Sequence, residues 1–274
     1  MKPWTTRSLM VLVFQVALLL FLVAGFIPGW QTSSCGPEMN KAQCVNNLKR
    51  IGMGIAAYTN AHGCFPPGTI PNPALSLDRR LGWGMAILPD LVASGMDPPE
   101  SDLAQDEALR LASDDPALDK LAGQVSVASC PGVPGRANYV AIAGLGPDAP
   151  TLPKADPRAG IFGDDRVVTP ADIKDGAANT MMLADTGSTG SPWFAGGRAT
   201  VRGLDRARQP YIGIGRQFGG NHPTSRVALL ARQGTMVILA DGSVKFISES
   251  IDPKVFEAMS TMAGGEKGSD SGQE

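Results

Sequence analysis

Between residues 38 and 61 apolar side chains return every three or four positions: Val45, Leu48, Ile51, Ile55 and Tyr58. That period marks one face of an α-helix, so the segment is expected to be an amphipathic helix lying on a sheet. Asn46, Asn47, Lys49 and Arg50 fall on its other faces. Gly52 and Gly54 work against it, each at about 1 kcal/mol relative to alanine. Gly63 and the run Phe65-Pro66-Pro67-Gly68 stop it. Residues 81–91 read as a short buried helix or strand. Residues 97–119 carry Asp97, Glu100, Asp102, Asp106, Glu107, Asp114, Asp115 and Asp119 against Arg110, and read as a solvated surface helix. They lack the alternating oxygen ligands of a calcium loop.

Beyond residue 125 the text turns to short strands, expected at 125–128, 138–143, 180–184, 199–202, 211–214, 227–231, 236–240 and 244–248. Asp241-Gly242 between the last two is a hairpin turn, because both central residues of a type I′ turn need positive φ. Asp252 followed by Pro253 opens a final helix with the apolar face Val255, Phe256, Met259 and Met262. It ends at Gly264-Gly265, and the polar residues 266–274 read as a disordered tail.

One segment is apolar without period. Residues 9–27 contain Gln15 as their single strongly polar member. Nineteen residues rise roughly 29 Å, the thickness of a hydrocarbon core. Lys2 and Arg7 precede the run and no acid does, which orients the N-terminus to the cytoplasm and the rest outside. The expected organisation is a cytoplasmic stub and anchor over 1–30, an extracytoplasmic domain over 31–265 and a tail over 266–274. The expected address is the inner (cytoplasmic) membrane, crossed once. A cleaved signal peptide would have a shorter apolar core and a small-x-small site, and neither is present.

Composition narrows the chemistry. Lys+Arg 24 against Asp+Glu 26 gives a net charge of -2, which leaves no overall basic footprint for nucleic acid. Gly 33 and Pro 22 argue against a helical bundle. Two histidines and four cysteines make a zinc site improbable, and no metal or cofactor is expected. An extracytoplasmic domain permits disulfides among Cys35, Cys44, Cys64 and Cys130. Cys44 and Cys64 are separated by a helix of about 21 Å and more, so either Cys44 or Cys64 is expected to pair with Cys130. His62 reads as a helix-end residue. His222 could meet Asp241 as a base and its orienter, but no nucleophile motif accompanies them, and a turn histidine is the reading adopted. Asp164, Asp165, Asp172, Asp175 and Asp185 cluster in the middle of the chain, and caps and turns account for Asp172 and Asp175. No catalytic residue is assigned.

The stretch Cys44-Val45-Asn46-Asn47-Leu48-Lys49-Arg50-Ile51-Gly52, followed by Tyr58 and by Gly63-Cys64-Phe65-Pro66-Pro67-Gly68, resembles the opening of a large bacterial family, domain of unknown function 1559. Further blocks follow in the family's order. They are Trp83 with Ile87-Leu88-Pro89, Cys130-Pro131, Asn138-Tyr139-Val140 and Gly160-Ile161-Phe162-Gly163. Asp175-Gly176 with Asn179-Thr180 is similar to its Asp-Gly-x-x-Asn-Thr block. His222 and the run Asp241-Gly242-Ser243-Val244 are similar to its C-terminal signature. Two features depart from the pattern. The apolar run carries no Gly-Phe-Thr-Leu-x-Glu processing site, and eighteen residues separate His222 from Asp241 where the family usually has nine.

The resemblance implies an α+β, pilin-like fold: an N-terminal transmembrane and amphipathic helix packed on an antiparallel β-sheet. The expected function is a membrane-anchored extracytoplasmic structural or assembly protein related to pseudopilins. Its partners would be the membrane, itself, or other envelope or pilin-like proteins. The alternatives are an envelope hydrolase using His222 and nearby carboxylates, or a ligand- or glycan-binding module.

Overall fold

Helix α1 covers Pro37–His62 in the computed structural model, as its apolar spacing predicts. The structure describes residues 37–95, 105–122, 124–125, 138–187, 190–219 and 234–265. All lie in the second of two units, Met1–Gly36 and Pro37–Glu274. Leu48, Ile51 and Ile55 are buried on α1, with Val45 and Tyr58 packed at the margin of the same core. Each fully buried aliphatic side chain contributes about 1.5–3 kcal/mol. Asn47 corrects the sequence reading: it is buried, not on an outer face. One of the two helix glycines, Gly54, also finds a purpose. A Cβ on Gly54 would stand 2.8 Å from Leu91 Cδ2, so the missing side chain lets the next helical layer approach. Gly63, at φ +72°, closes the helix with its N–H donating to the Thr59 carbonyl at 2.8 Å.

Five strands form one sheet: β1 (Tyr139–Leu145), β2 (Met181–Asp185), β3 (Val201–Leu204), β4 (Gly234–Leu239) and β5 (Val244–Ser248), in the order β3-β1-β2-β4-β5. The antiparallel expectation holds for three of the four pairings; β3 runs parallel to β1, so the sheet is mixed. A tight hairpin forces antiparallel pairing only between strands it joins directly, as in β4–β5. Strand β3 follows a long excursion through β2 and enters the edge beside β1 in β1's own direction.

Side chains alternate across the sheet. Tyr139, Ala141, Ala143, Met236 and Ile238 face the core that contains α1. Val140, Ile142, Val237 and Leu239 face a second cluster with Phe218 and Phe256. A strand buried on both faces reads as a continuous apolar run, which is why β1 and β4 stand out in the sequence.

Other expected elements shift. Residues 81–91 become two short helices, α2 (Trp83–Ala86) and α3 (Leu88–Ala93), split at Ile87 with Pro89 in the first turn of α3. The acidic segment shows only short turns of helix among its described residues: α4 (Gln105–Ala108), the 3₁₀ turn Pro116–Leu118 and α5 (Asp119–Ala122). The strand expected at 199–202 starts later, after a 3₁₀ turn at Gly197–Ala199. That expected at 211–214 is reduced to a bridge between Ile212 and Phe218, because Gly213 and Gly215 at positive φ turn the chain. Helix α6 (Pro253–Ala258) is capped by Asp252, whose side chain accepts from Lys254 N at 2.8 Å. It ends short of Gly264, since the Met259 and Met262 carbonyls accept from Met181 and Lys174 instead. Residues 126–128, 227–231 and 266–274 lie outside the described residues. So does the apolar run 9–27; among the described residues no helix is long and apolar enough to cross a membrane.

Ile51→Ala, at 1% exposure, is expected to cost about 2–5 kcal/mol in denaturant unfolding. Met53→Ala, at 52% exposure two positions along the same helix, is expected to stay within about 0.5 kcal/mol. Equal losses at both would show that the stripe is not the packed face.

Candidate functional site

The signature residues assemble at one end of the sheet. The turn Asp175-Gly176 precedes β2, and the Asp241-Gly242 turn joins β4 to β5. The two are laced together, with Ala240 N donating to Thr180 O at 2.8 Å and Asp241 N to Ala177 O at 3.2 Å. Asn179 Nδ2 donates to the Asp175 carbonyl at 3.0 Å and Thr180 Oγ1 to the Gly176 carbonyl at 3.1 Å. The Asp175 carboxylate reaches across the fold, where Oδ2 accepts from Gly264 N at 2.8 Å and Oδ1 from Gly265 N at 3.1 Å. Asp241 Oδ1 accepts from Ser243 N at 2.9 Å, and Gly242 sits at φ +82°. Both signature carboxylates thus hold backbone N–H groups of their own chain. His222 lies outside the described residues, and the turn reading adopted for it lies there too.

Asp172 behaves likewise. Its Oδ2 accepts from Thr169 N at 2.8 Å, Thr169 Oγ1 at 2.7 Å and Lys154 Nζ at 3.1 Å. The Thr169 bonds first, and then the lysine, hold the carboxyl down at about 2. The helix start expected there is a single 3₁₀ turn with a capping box. Asp185 is fully buried, its Oδ1 accepting from Met236 N at 2.9 Å and Thr235 Oγ1 at 2.5 Å.

His62 lies in the last turn of α1, stacked on Tyr58 with ring centroids 4.0 Å apart and Nδ1 2.9 Å from the Tyr58 carbonyl. Cys44 is buried within α1. Cys64 lies beyond its far end, half-buried, as an unbridged thiol. The disulfide expectation is therefore not met at Cys64, and Cys130 lies outside the described residues. Among the described residues no group of three His, Cys, Asp or Glu is placed to hold a metal ion.

Two charged centres escaped the sequence reading. Arg166 is buried, and its guanidinium donates to the carbonyls of Ala149 (3.2 Å), Leu152 (2.7 Å), Ala143 (2.9 Å) and Phe162. Burial pulls it down to about 10. Beside it Asp164, 4% exposed, keeps an Oδ1 without a hydrogen-bond partner among the described residues, and burial raises its pKa. Asp164, Asp165, Arg166, Lys154, Pro153 and Val167 line an open cleft of about 380 Å³. The second centre is Glu257. Its Oε2 accepts from Arg206 Nη2 at 2.7 Å, and its Oε1 from Tyr211 Oη at 2.5 Å and Gln209 Nε2 at 2.9 Å. Burial and then this bond to Glu257 push the Tyr211 phenol up to about 12. The signal available for Arg166 was the run of three charges Asp164-Asp165-Arg166 standing between the apolar Phe162 and Val167; for Glu257 there was none beyond helical position.

Asp175→Ala strands two N–H groups and is expected to cost about 1–3 kcal/mol in chemical denaturation. Asp172 is depressed in the folded state, so its stabilisation is present above the ordinary carboxylate range and lost as pH falls toward about 2. Asp172→Asn should flatten the stability–pH curve between about 4 and 2. An unchanged slope in acid unfolding would remove Asp172 from the capping network.

The sequence model of one family, described as "Protein of unknown function (DUF1559)", matches residues 40–254. Comparison with curated proteins and with solved structures found no match. The matched region takes in all but the first turn of α1, all five strands and the Asp175 and Asp241 turns, and on that match the chain belongs to the DUF1559 family.

Proposed function

We propose that the chain is a membrane-anchored, extracytoplasmic structural or assembly protein of pilin-like plan, with no catalysis of its own. The observation that carries this reading is the use made of the signature carboxylates. Asp175 accepts from the Gly264 and Gly265 N–H groups and Asp241 from the Ser243 N–H, so both carboxylates are engaged in holding the fold. The long helix α1 on a sheet agrees with the pilin-like plan, and the apolar run 9–27 supplies an anchor of bilayer length. Its partners are copies of itself or other envelope proteins.

A second reading, a module that binds a small hydroxyl-bearing ligand, is favoured by the open cleft that Asp164, Asp165 and Lys154 line with polar side chains. Crosslinking in intact cells separates the two. A discrete ladder of homo-oligomers is expected for an assembly protein. A lone monomer at every crosslinker length would overturn that role.

A further inference from the structure

The chain is acidic as a whole, yet its charge is segregated. Between Asp185 and Asp241 the sequence holds seven arginines, no lysine and one acid, Asp205. Five of these arginines are described. Arg206 is spent on Glu257. Arg198, Arg202, Arg208 and Arg216 make no ion pair among the described residues. Arg198 acts electrostatically on Asp164. The other three have no such outlet.

Two turns bring them together. Asp205 N donates to Gln217 Oε1 at 3.2 Å, and Arg202 Nη1 to the Gln217 carbonyl at 3.4 Å. These bonds hold the 3₁₀ turn Arg206–Arg208 beside the turn at 213–216. Arg202 is half-buried and donates only to carbonyls, those of Gln217 and Arg198. Burial and then the like charge of Arg208 pull its pKa down. The acids nearby, Glu249 against the second turn included, have partners of their own. Asp205 accepts from Ala207 N, Glu257 is saturated, and Glu249 lies 3.6 Å from where a Gly213 Cβ would stand. At the tip of the second turn Ile214 is 75% exposed, more than any other large apolar residue described.

Guanidinium groups without carboxylates bind phosphate well, because their planar donors match its oxygens in pairs. An exposed aliphatic tip among them adds a group that prefers the acyl boundary to water. We propose that Arg202, Arg208, Arg216 and Ile214 form a docking surface for an anionic phospholipid bilayer, the arginines taking headgroup phosphates and Ile214 entering the interface. The proposal uses the anchor reading above only to explain why a bilayer is near. Each arginine close to an anionic surface contributes about fivefold in affinity, so the three together give about a hundredfold.

The test uses the full chain with two bilayers, phosphatidylcholine alone and phosphatidylcholine with about three parts in ten phosphatidylglycerol. Amide hydrogen exchange over 201–218 is expected to slow about tenfold or more in the anionic bilayer only, and to recover in high salt, as screening requires. Arg208→Gln with Arg216→Gln, both exposed and free of structural bonds to carboxylates, should abolish the slowing while the rest of the exchange map stays unchanged. Ile214→Asp should do the same. Equal exchange in the two bilayers overturns the proposal. So does slowing that persists in the double variant, or that appears in the neutral bilayer and grows with protein concentration, which would mean a second copy on this surface. Flotation with neutral vesicles reports on the anchor separately. A chain that floats only with anionic vesicles keeps this surface and loses the anchor, and one that floats with both but shows no slowing keeps the anchor and loses this surface.

Discussion

A long helix with one apolar stripe cannot leave that stripe in water, and in this chain the sheet is the surface that covers it. Leu48, Ile51 and Ile55 bury in the core that α1 shares with β4 and α3. Gly54 is flat because α3 presses there. The opposite face of the sheet is just as dry, closed by Phe218, Phe256 and Tyr211, so the strands sit between two cores. That arrangement leaves little room for polar chemistry within the layers and moves it to the ends of the strands.

At those ends the dominant pattern is a carboxylate accepting backbone N–H groups. Asp172, Asp175, Asp185, Asp241 and Asp252 each do so, and Glu257 collects side-chain donors in the same manner. Loops with no regular ladder of their own still have donors to satisfy, and a charged acceptor is the strongest partner for them. The glycine-rich, proline-rich segments between strands are held this way, which is how so much irregular chain stays ordered around a five-stranded sheet.

Much of this was legible in the residues. The three-and-four spacing of Leu48, Ile51 and Ile55, the hairpin at Asp241-Gly242 and the Asp252-Pro253 start all express local rules, and all are found, although φ is positive at Gly242 alone and the turn is therefore not the expected type I′. What was not legible depends on distant chain. No local signal distinguishes a parallel β3 from an antiparallel one, because its partner β1 lies far back in the sequence. Asn47 looks polar and outward until the fold supplies a neighbour for it. The signature turn at Asp175 was readable as a turn, but its bond to Gly264 bridges 89 residues of chain and no spacing rule encodes it. Arg166 was missed for the same reason, since the carbonyls it serves come from three separate stretches.

Arg166 carries a consequence for how this chain can drift. One planar cation supplies the donors for carbonyls at Ala143, Ala149, Leu152 and Phe162, and so stitches β1 to the two loops that follow it. An ammonium has three donors on a single atom and cannot reach four oxygens in different directions. Lysine, the conservative exchange on paper, is thus no substitute here, and the loops around it can change their side chains freely only while their carbonyl oxygens stay where that fork can find them.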